Sequence, residues 1–473
     1  MRTDCSRQGF LFQELGARSV VAAFDGGMIT SDGGLLLVRE LESRRRIVRQ
    51  FARCFVDHRN REQVEHSVEE MLAQRVFAIS CGYEDLNDHD FLAADPVLAT
   101  AIGKTDPTGE SRRRRRDRGK AGASRPTLNR LELFSGDPAK DGVYKRIEPL
   151  PERIEETFVT VFLQAHREIP HRIVLDLDST DDRIHGAQEG RFFHGYYGDY
   201  CYLPLYIFCG DFLLVAKLRR SNIDASAGAL EEVERVVRQI RARWPKVEIV
   251  LRADSGFARE ALMSWCERQR NVFYVFGMAK NSRLVAQIEA DLATAKAETG
   301  RTGEPARIFK EISYRTRTSW SRSRRVVAKA EHLEKGSNPR FIVTSIGADH
   351  TGGRELYEDV YCARGEMENR IKEQQLDLFA DRTSSSTMKA NQMRLWLSSI
   401  AYVVMNEVRR LGLVGTELEQ AQCGTIRLKL LKIGARVRVS VRRVVLSMAS
   451  SYPYQEIYAS AYARLRALDP VPI

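Results

Sequence analysis

The chain contains eight cysteines in 473 residues, but none of them forms a Cys-x-x-Cys pair. Scattered cysteines supply neither the paired ligands of a zinc ribbon nor the framework of a disulfide-rich secreted domain. The sequence also lacks an apolar run of the roughly 18 residues that a membrane-spanning helix needs. Its N-terminal residues show no signal-peptide pattern. We therefore expect a soluble intracellular protein with reduced thiols and no membrane partner.

Acidic residues are too few to balance the basic ones. The chain has 74 Lys and Arg against 63 Asp and Glu, which gives a formal net charge of +11. Such an excess favours polyanionic partners, nucleic acid above all, although it does not specify a fold. The length suggests roughly three domains of about 150 residues each.

A strand with two acids near its end lies in the middle of the sequence. In residues 173–180, apolar side chains alternate with Val174, Asp176 and Asp178, and a period of two is typical of a strand. A carboxylate on a buried strand is costly unless it is paired or binds a metal. Asp178 is the better ligand candidate because it comes last, whereas Asp176 could form hydrogen bonds behind it. The alternative is a strand that simply ends in a polar turn.

The following segments predict an α/β domain with a mixed sheet, because a three-strand meander is followed by alternating helices and parallel strands. Asp254 follows one of these strands as Asp178 follows the first, and ligands bind at the carboxyl ends of strands in such sheets. The alternative for Asp254 is a helix cap or a turn former. The predicted elements are strands 202–208, 212–218, 247–252 and 271–277, and helices 227–240 and 259–268.

The N-terminal domain, residues 1–165, is predicted to be mostly helical and to bind DNA. It opens with a predicted hairpin in which residues 20–24 and 28–30 flank a glycine-rich turn. Farther along, a run of five arginines includes Arg113, Arg114 and Arg115. Bound to phosphate, these arginines would give salt-dependent affinity for DNA. The alternative is a mobile, solvated loop, and no helix-turn-helix signature is clear.

Residues 283–355 are predicted to form a β-rich insertion. Strand-like segments cover residues 307–314, 324–329 and 340–345, with Arg and Ser residues between them. Trp320 lies among these arginines, where it could stack on an unpaired base. The alternative is that Trp320 packs on the neighbouring sheet.

A predicted helix after Tyr357 places Tyr361, Arg364, Glu368 and Lys372 on one face, since they are spaced at i, i+3, i+7 and i+11. The alternative is a solvated face with ion pairs of about 0.3–0.5 kcal/mol each. Together with the two aspartates, Glu368 would complete three oxygen ligands suited to Mg²⁺ or Mn²⁺. Two such ions can activate a water or a 3′-hydroxyl for attack on phosphorus.

These segments resemble the three signatures of DDE transposases from bacterial insertion sequences, in the group with a Tyr–Arg–Glu helix. The matching residues are Asp178-Ser179-Thr180, Arg252-Ala253-Asp254-Ser255-Gly256-Phe257 and Tyr361-x-x-Arg364-x-x-x-Glu368. One branch, the "thirteen-eighty" insertion-sequence family, is similar also in His185-Gly186, Gly195-Tyr196-Tyr197-Gly198 and Tyr202-Leu203-Pro204-Leu205. The resemblance spans about residues 25–411.

The resemblance implies a ribonuclease H-like catalytic domain, formed by residues 166–282 and 356–415. Asp178, Asp254 and Glu368 would be catalytic and would hold two ions, Mg²⁺ or Mn²⁺. Among the DNA contacts, Tyr361 and Arg364 would bind phosphate near the cleaved end, and Trp320 would stabilise a flipped base. The basic C-terminal region, residues 416–473, would contact DNA or form a dimer interface.

One position departs from the family signature, which has a lysine seven residues after the glutamate where this chain has Gln375. Lys372 lies one turn earlier on the same face and is the candidate DNA-binding substitute. Glu366 and Glu373 are alternatives for the third acid, but the spacing from Arg364 favours Glu368.

The implied activity is cut-and-paste transposition of an insertion sequence. The partners would be double-stranded DNA, both terminal inverted repeats and target, and a second copy of the chain in a homodimer. The expected location is the bacterial cytoplasm, in association with the nucleoid. Two alternatives stay open, a structure-selective nuclease and a non-catalytic DNA-binding relic. The β-rich insertion argues against the first, and the presence of all three acids argues against the second.

Overall fold

The computed structural model describes residues 9–133 and 147–471. The chain divides into two compact units. The terminal unit comprises Met1–Pro149, Asp377–Phe379 and Ile400–Ile473, and the central unit comprises Leu150–Leu376 and Ala380–Ser399. Within the described ranges, no helix has both the length and the apolar character that crossing a membrane requires.

The central unit is built on one large mixed sheet, whose main strands are labelled here in chain order. They are β1 Arg172–Ser179, β2 Leu205–Cys209, β3 Phe212–Lys217, β4 Glu248–Ala253, β5 Val272–Met278, β6 Ala306–Tyr314, β7 Arg324–Leu333 and β8 Arg340–Thr344. Their order across the sheet is β3-β2-β1-β4-β5-β8-β7-β6, and the short strand Gly336–Ser337 pairs with β7. The helices with residues in this unit are α1 Pro151–Ala165, α2 Ala229–Arg243, α3 Glu260–Arg268, α4 Ser282–Gln287, α5 Glu289–Thr302, α6 Gly365–Leu378 and α7 Met388–Gly412.

The predicted meander and the parallel strands after it are confirmed. β2 pairs antiparallel with both β1 and β3, its neighbours along the chain, whereas β1, β4 and β5 run parallel to one another. Alternate side chains of the parallel strands enter one apolar core, which explains the period of two in the sequence. This core includes Leu175, Leu177, Ile249, Leu251, Tyr274 and Phe276.

The predicted strands of the β-rich insertion are present, but they extend the central sheet instead of forming a separate one. β8 pairs antiparallel with β5, and β7 and β6 follow outward. The insertion also contains helices α4 and α5, which the sequence reading missed. The many alanines and acids of α5 favour a helix. Ala295 is, however, its one buried residue, so the sequence shows no clear amphipathic pattern there.

A small three-stranded sheet lies between β1 and β2 in the chain. Its strands are Asp182–Arg183, Phe192–His194 and Asp199–Tyr202, and the last of them is central. The turn between the second and third strands presents Tyr196 and Tyr197.

The terminal unit is mostly helical, with short strands. Its α-helices are Leu36–Arg45, Ile47–Ala52, Val68–Ser80, His89–Leu92, Pro96–Ala101, Arg125–Glu132, Cys423–Ile426 and Gln455–Arg466. Its strands are Phe10–Leu15, Arg18–Ala22, Met28–Thr30, Phe55–Asp57, Ile147–Pro149, Ala435–Val439 and Val444–Met448.

The hairpin predicted near the N-terminus is wrong. Arg18–Ala22 pairs with the preceding strand Phe10–Leu15, and Met28–Thr30 pairs with Ala435–Val439 near the other end of the chain. The glycine-rich turn is therefore a connection between two sheets. A local turn signal indicates where the chain can reverse, but it contains no information about a partner distant in sequence.

Candidate active site

The carboxyl ends of β1 and β4 bring the two predicted aspartates together. In the parallel register of these strands, Asp176 lies opposite Arg252, and Leu177 lies opposite Ala253. One residue farther along both strands, Asp178 and Asp254 are adjacent. This is the edge of an α/β sheet at which ligands bind.

A cleft of about 440 Å³ opens at this edge, and we call it the carboxylate cleft. It collects all three predicted acids together with two predicted cations, Arg364 and Lys372, so residues from three separate parts of the sequence meet in one place. Its lining residues are Asp178, Ser179, Thr180, His194, Tyr196, Tyr197, Leu203, Ala225, Asp254, Phe257, Arg364, Glu368, Ile371, Lys372 and Gln375.

Asp178 is in an unfavourable environment for a negative charge. Burial raises the pKa of its carboxyl to about 7, and the charges of Asp254 and Glu368 add to this effect. Arg364 opposes it, but only from a distance, since its Nη1 lies 4.0 Å from Asp178 Oδ2. The Nη2 of Arg364 is instead 2.6 Å from Glu368 Oε1. The cleft thus concentrates more negative charge than its arginine compensates at close range.

Asp254 also caps the turn that follows β4. Its Oδ1 accepts a hydrogen bond of 2.8 Å from the backbone N–H of Gly256, at the start of the short 3₁₀ turn Ser255–Phe257. Asp254 is therefore a cap residue, as the alternative interpretation predicted. The hydrogen bond fixes the side chain beside the cleft without removing it from the lining.

Asp176 lies behind the cleft, in a buried ion pair. Its carboxylate accepts hydrogen bonds of 2.5 and 2.8 Å from Nε and Nη2 of Arg252. Burial raises the pKa of Asp176, and Arg252 opposes that effect. Arg252 also donates through Nη1 to the backbone carbonyl of Val360. This pair joins β1 and β4 to the helical segment that presents Tyr361 and Arg364.

That helical segment is irregular before α6. A short α-turn, Gly353–Glu355, leads into a π-helical turn, Leu356–Tyr361, and then a 3₁₀ turn, Cys362–Arg364. π-helical turns are rare and often occur at functional sites. The change of pitch falls between Tyr361 and Glu368, so a uniform helix does not describe their spacing.

Tyr361 packs against a glycine that the sequence reading did not single out. A Cβ on Gly277 of β5 would lie 2.5 Å from Tyr361 Oη and 3.0 Å from the backbone nitrogen of Ser255. The missing side chain of Gly277 leaves room for this close approach. Burial raises the pKa of the Tyr361 hydroxyl, and the residue lies behind the cleft lining. A glycine inside a strand is a signal of such an approach.

The structure also separates the three candidates for the third acid. Glu368 lines the carboxylate cleft, whereas Glu366 is exposed outside that lining. Glu373 is buried and pairs at 2.7 Å with Arg370. Gln375, at the position where the family signature has lysine, donates from Nε2 to Oδ1 of the buried Asp182 at 3.0 Å.

Trp320 and the three arginines, also predicted to contact DNA, are not among the lining residues of this cleft. Trp320 is buried in the apolar core, with its ring edge-on to Tyr314 and the guanidinium of Arg324 5.3 Å from its centroid. This burial agrees with the packing alternative, because a ring inside the core presents no face to a DNA base. Arg113, Arg114 and Arg115 are exposed in the terminal unit.

Sequence reasoning did not assign a role to two further residues at the cleft, Arg219 and Tyr196. Arg219 is buried and donates from Nη2 to Ser179 Oγ at 2.7 Å and from Nε to Leu203 O at 2.9 Å, which fixes the chain beside Asp178. Tyr196 lines the cleft with 86% of its surface exposed. An exposed aromatic ring beside a charged cleft suits a stacking contact.

The donor chemistry of the cleft fits a hard divalent cation. Three carboxylates face it, and Asp178 experiences repulsion from the other two. In the described part of the chain, however, no group of three His, Cys, Asp or Glu side chains is already arranged to hold a metal. The ion pair between Arg364 and Glu368 accounts for part of this, because it engages one carboxylate.

A comparison with protein-family models identifies one family. The family model described as "Transposase DDE domain group 1" matches residues 12–470. No curated protein matches significantly. A cryo-EM structure of a piggyBac transposase synaptic complex with hairpin DNA is similar at a TM-score of 0.39 and 10% identity, over 94% of this chain and 86% of that chain. A TM-score of this size does not establish a shared fold.

Proposed function

We propose, for a chain that belongs to the transposase DDE domain group 1 family and is therefore a DNA transposase, that the carboxylate cleft cuts and rejoins DNA. The observation that supports this most directly is the parallel register that sets Asp178 beside Asp254, with Glu368 lining the same cleft. On this proposal, the mixed sheet that holds these acids is the core of a ribonuclease H-like catalytic domain.

Asp178, Asp254 and Glu368 are the residues that would hold divalent metal, two ions of Mg²⁺ or Mn²⁺. Bound there, such ions activate a water or a 3′-hydroxyl and stabilise the leaving oxygen at phosphorus. The guanidinium of Arg364 lies close to both Asp178 and Glu368 and partly neutralises their charge. If Glu368 held metal, Arg364 would be free to contact a DNA phosphate.

The remaining residues bind and orient the DNA. Lys372 is exposed in the cleft lining, and it would contact a phosphate. Tyr361 supports Arg364 from behind, and Tyr196 offers a ring at the opening of the cleft. The substrate is the terminal inverted repeat of an insertion sequence, and the product is joined to target DNA. A homodimer would pair the two element ends, and the protein would act on DNA in the bacterial nucleoid.

A strand-transfer assay tests this function against simple hydrolysis. The protein is incubated with Mg²⁺, a supercoiled plasmid and a labelled element end that already has a free 3′-hydroxyl. Transfer of the label to the plasmid, and its loss in Glu368→Gln, is the expected result. A plasmid that is nicked without gaining label would instead indicate a nuclease without strand transfer.

A further inference from the structure

A second cleft, in the terminal unit, is strongly basic. It has a volume of about 930 Å³, and we call it the cationic cleft. Seven basic side chains line it against two acidic ones, Glu65 and Asp117. The basic residues are Arg59, Arg112, Arg113, Arg114, Arg116, Lys120 and Arg130.

Several of these cations are not neutralised by neighbours. Arg112 pairs with Glu65 at 2.9 Å, and Arg59 pairs with Asp57 at 2.7 Å. Arg114, Lys120 and Arg130, by contrast, have no ion-pair partner within residues 9–133 and 147–471. The positive charge of the cleft is therefore available to a ligand.

The loop that carries the arginines, residues 112–120, is held in place by hydrogen bonds. Arg112 donates from Nη1 to the carbonyl of Lys120 at 2.7 Å, which closes the loop. The Asp106 carboxylate accepts from the backbone nitrogens of Thr108, Gly109 and Ser111 at 3.1, 3.1 and 2.7 Å. These hydrogen bonds order the backbone from which the arginines extend, so less backbone entropy is lost when the arginines bind a ligand.

His66 lies in the lining of the cationic cleft and is only 5% exposed. Neither ring nitrogen has a hydrogen-bond partner among the residues that the structure describes. Burial, together with the charges of Lys104, Arg112 and Arg59, lowers the pKa of His66 to about 3, so the ring is neutral. A neutral imidazole offers one donor and one acceptor. Leaving such groups unpaired is costly, and a ligand in the cleft would relieve that cost.

We propose that the cationic cleft binds the phosphate backbone of DNA, with His66 donating a hydrogen bond to a phosphate oxygen. The inference rests on the proposed function in taking DNA as the partner, and it adds a contact site distinct from the carboxylate cleft. Fixed cations beside a neutral donor suit phosphate, which has only acceptors, and phosphate contacts set the position of DNA.

The test is a titration of labelled duplex by fluorescence anisotropy, with a chelator present and over a series of salt concentrations. His66→Ala should raise Kd by about 2- to 10-fold at every salt concentration. Because the ring is neutral, the slope of log K against log salt should not change. Arg114→Ala should instead reduce that slope by about 0.9.

Matched controls separate this effect from misfolding. His66→Gln keeps a donor and should retain most of the affinity. His58→Ala removes an exposed histidine that pairs with Glu148 outside the cleft, and it should leave Kd unchanged. Arg301→Ala removes an exposed arginine of the central unit and should leave the slope unchanged. Thermal melting confirms that each variant is folded.

Folded His66→Ala and Arg114→Ala variants with wild-type Kd and slope would overturn the assignment while leaving the transposase function intact. A His66→Ala variant that loses only its preference for the element end over an unrelated duplex would indicate a base contact, which also contradicts a phosphate site. A wild-type protein that binds neither duplex would contradict the proposed function itself.

The strands Phe10–Leu15 and Arg18–Ala22 form a two-stranded hairpin, which we call the N-terminal ribbon. These strands pair only with each other among the described strands, and all their residues are exposed. A lone two-stranded hairpin is marginally stable in water. The exposed apolar side chains are Phe10, Leu11, Phe12, Leu15, Val20 and Val21.

The geometry points to a second copy of this chain as the partner of the ribbon. Glu14 and Arg18 are its only charged residues, so it has no net charge and is unsuited to DNA. At about 150–250 Å² for a whole aromatic side chain, the six apolar residues expose several hundred Å². A standard interface buries roughly 800 Å² per partner. Open strand edges also allow two ribbons to pair across a two-fold axis.

Molar mass measured by light scattering, over a tenfold range of concentration, tests this interface. Wild type should be dimeric, and the double variant Leu11→Asp with Phe12→Asp should be monomeric. Val441→Asp, which changes another fully exposed apolar residue of the same unit, should remain dimeric. A monomeric wild type, or a double variant that stays dimeric, would contradict the ribbon as the interface.

Discussion

At the scale of single residues, Asp178 has the least favourable environment in the carboxylate cleft. Its charge is desolvated and repelled by Asp254 and Glu368, while Arg364 is 4.0 Å away. Such a residue costs stability, and active sites often contain groups of this kind. The cost is consistent with a group that is kept for its chemistry.

Replacing Asp178 with asparagine should therefore separate stability from activity. Asp178→Asn removes the repelled charge and should stabilise the protein by about 0.5–2 kcal/mol. Because Asp178 is a proposed metal ligand, the variant should also lower DNA cleavage by at least about 100-fold. Thermal melting and a cleavage assay measure the two effects. Asp349→Asn, at an exposed position, is the control, and a destabilised Asp178→Asn variant that retains cleavage would contradict this account.

Gly277 is a second residue whose contribution to the free energy of unfolding can be measured. A Cβ at this position would lie 2.5 Å from Tyr361 Oη, so Gly277→Ala should destabilise the protein by about 1–3 kcal/mol. In a Tyr361→Phe background the hydroxyl is absent, and the penalty should be smaller. A double-mutant cycle from denaturant unfolding gives the coupling. Equal penalties in the two backgrounds would show that Tyr361 does not constrain this position.

At the scale of secondary-structure elements, the Asp176–Arg252 ion pair joins β1, β4 and the π-helical turn. Breaking a buried pair by removing one partner leaves an uncompensated charge, which costs about 3–5 kcal/mol. Arg252→Leu should therefore destabilise the central unit by this amount and lower activity, because the helical segment loses its anchor. Denaturant unfolding of the full chain measures the change.

The same two strands provide the control. Arg172 pairs with Glu248 at their other end, and the side chain of Arg172 is 47% exposed. Exposed pairs contribute about 0–1 kcal/mol, so Arg172→Leu should have little effect. Similar losses in Arg172→Leu and Arg252→Leu would show that burial does not set the contribution of the pair.

Local patterns predicted most of the central elements. The period of two and the turn residues identified β1 to β5, because alternate burial in one core imposes that period. The same reading found Asp178, Asp254 and Glu368 for the carboxylate cleft. It missed α5 and mispaired Met28–Thr30, since neither weak amphipathicity nor a distant partner leaves a local signal. Arg252 and Arg219 were missed as supports because their roles depend on contacts between elements.

At the scale of the whole molecule, the family match covers residues of both units, from 12 to 470. The chain has a basic excess, and seven of its basic side chains line the cationic cleft, the proposed site of DNA binding. Three carboxylates lie together in the carboxylate cleft, on another part of the chain. The distribution of charge thus suits a protein that holds DNA with one set of residues and cuts it with another.

Metal binding should be detectable without DNA. A ligand that binds only the folded state stabilises it by RT ln(1 + [L]/Kd), about 2.7 kcal/mol at 100 times Kd. Mn²⁺ should therefore raise the Tm of wild type, and a chelator should reverse the change. Asp254→Asn should show a much smaller shift. An equal shift in the two proteins would place the bound metal elsewhere.

The most direct test of the central claim is cleavage of a labelled duplex that contains the element end and its flanking DNA. With Mg²⁺ or Mn²⁺, wild type should cut at the element boundary, and Asp254→Asn should bind the duplex without cutting it. Cleavage by Asp254→Asn at the wild-type rate would contradict the assignment of the carboxylate cleft. A wild type that binds the correct end but never cuts it would contradict the catalytic account as a whole.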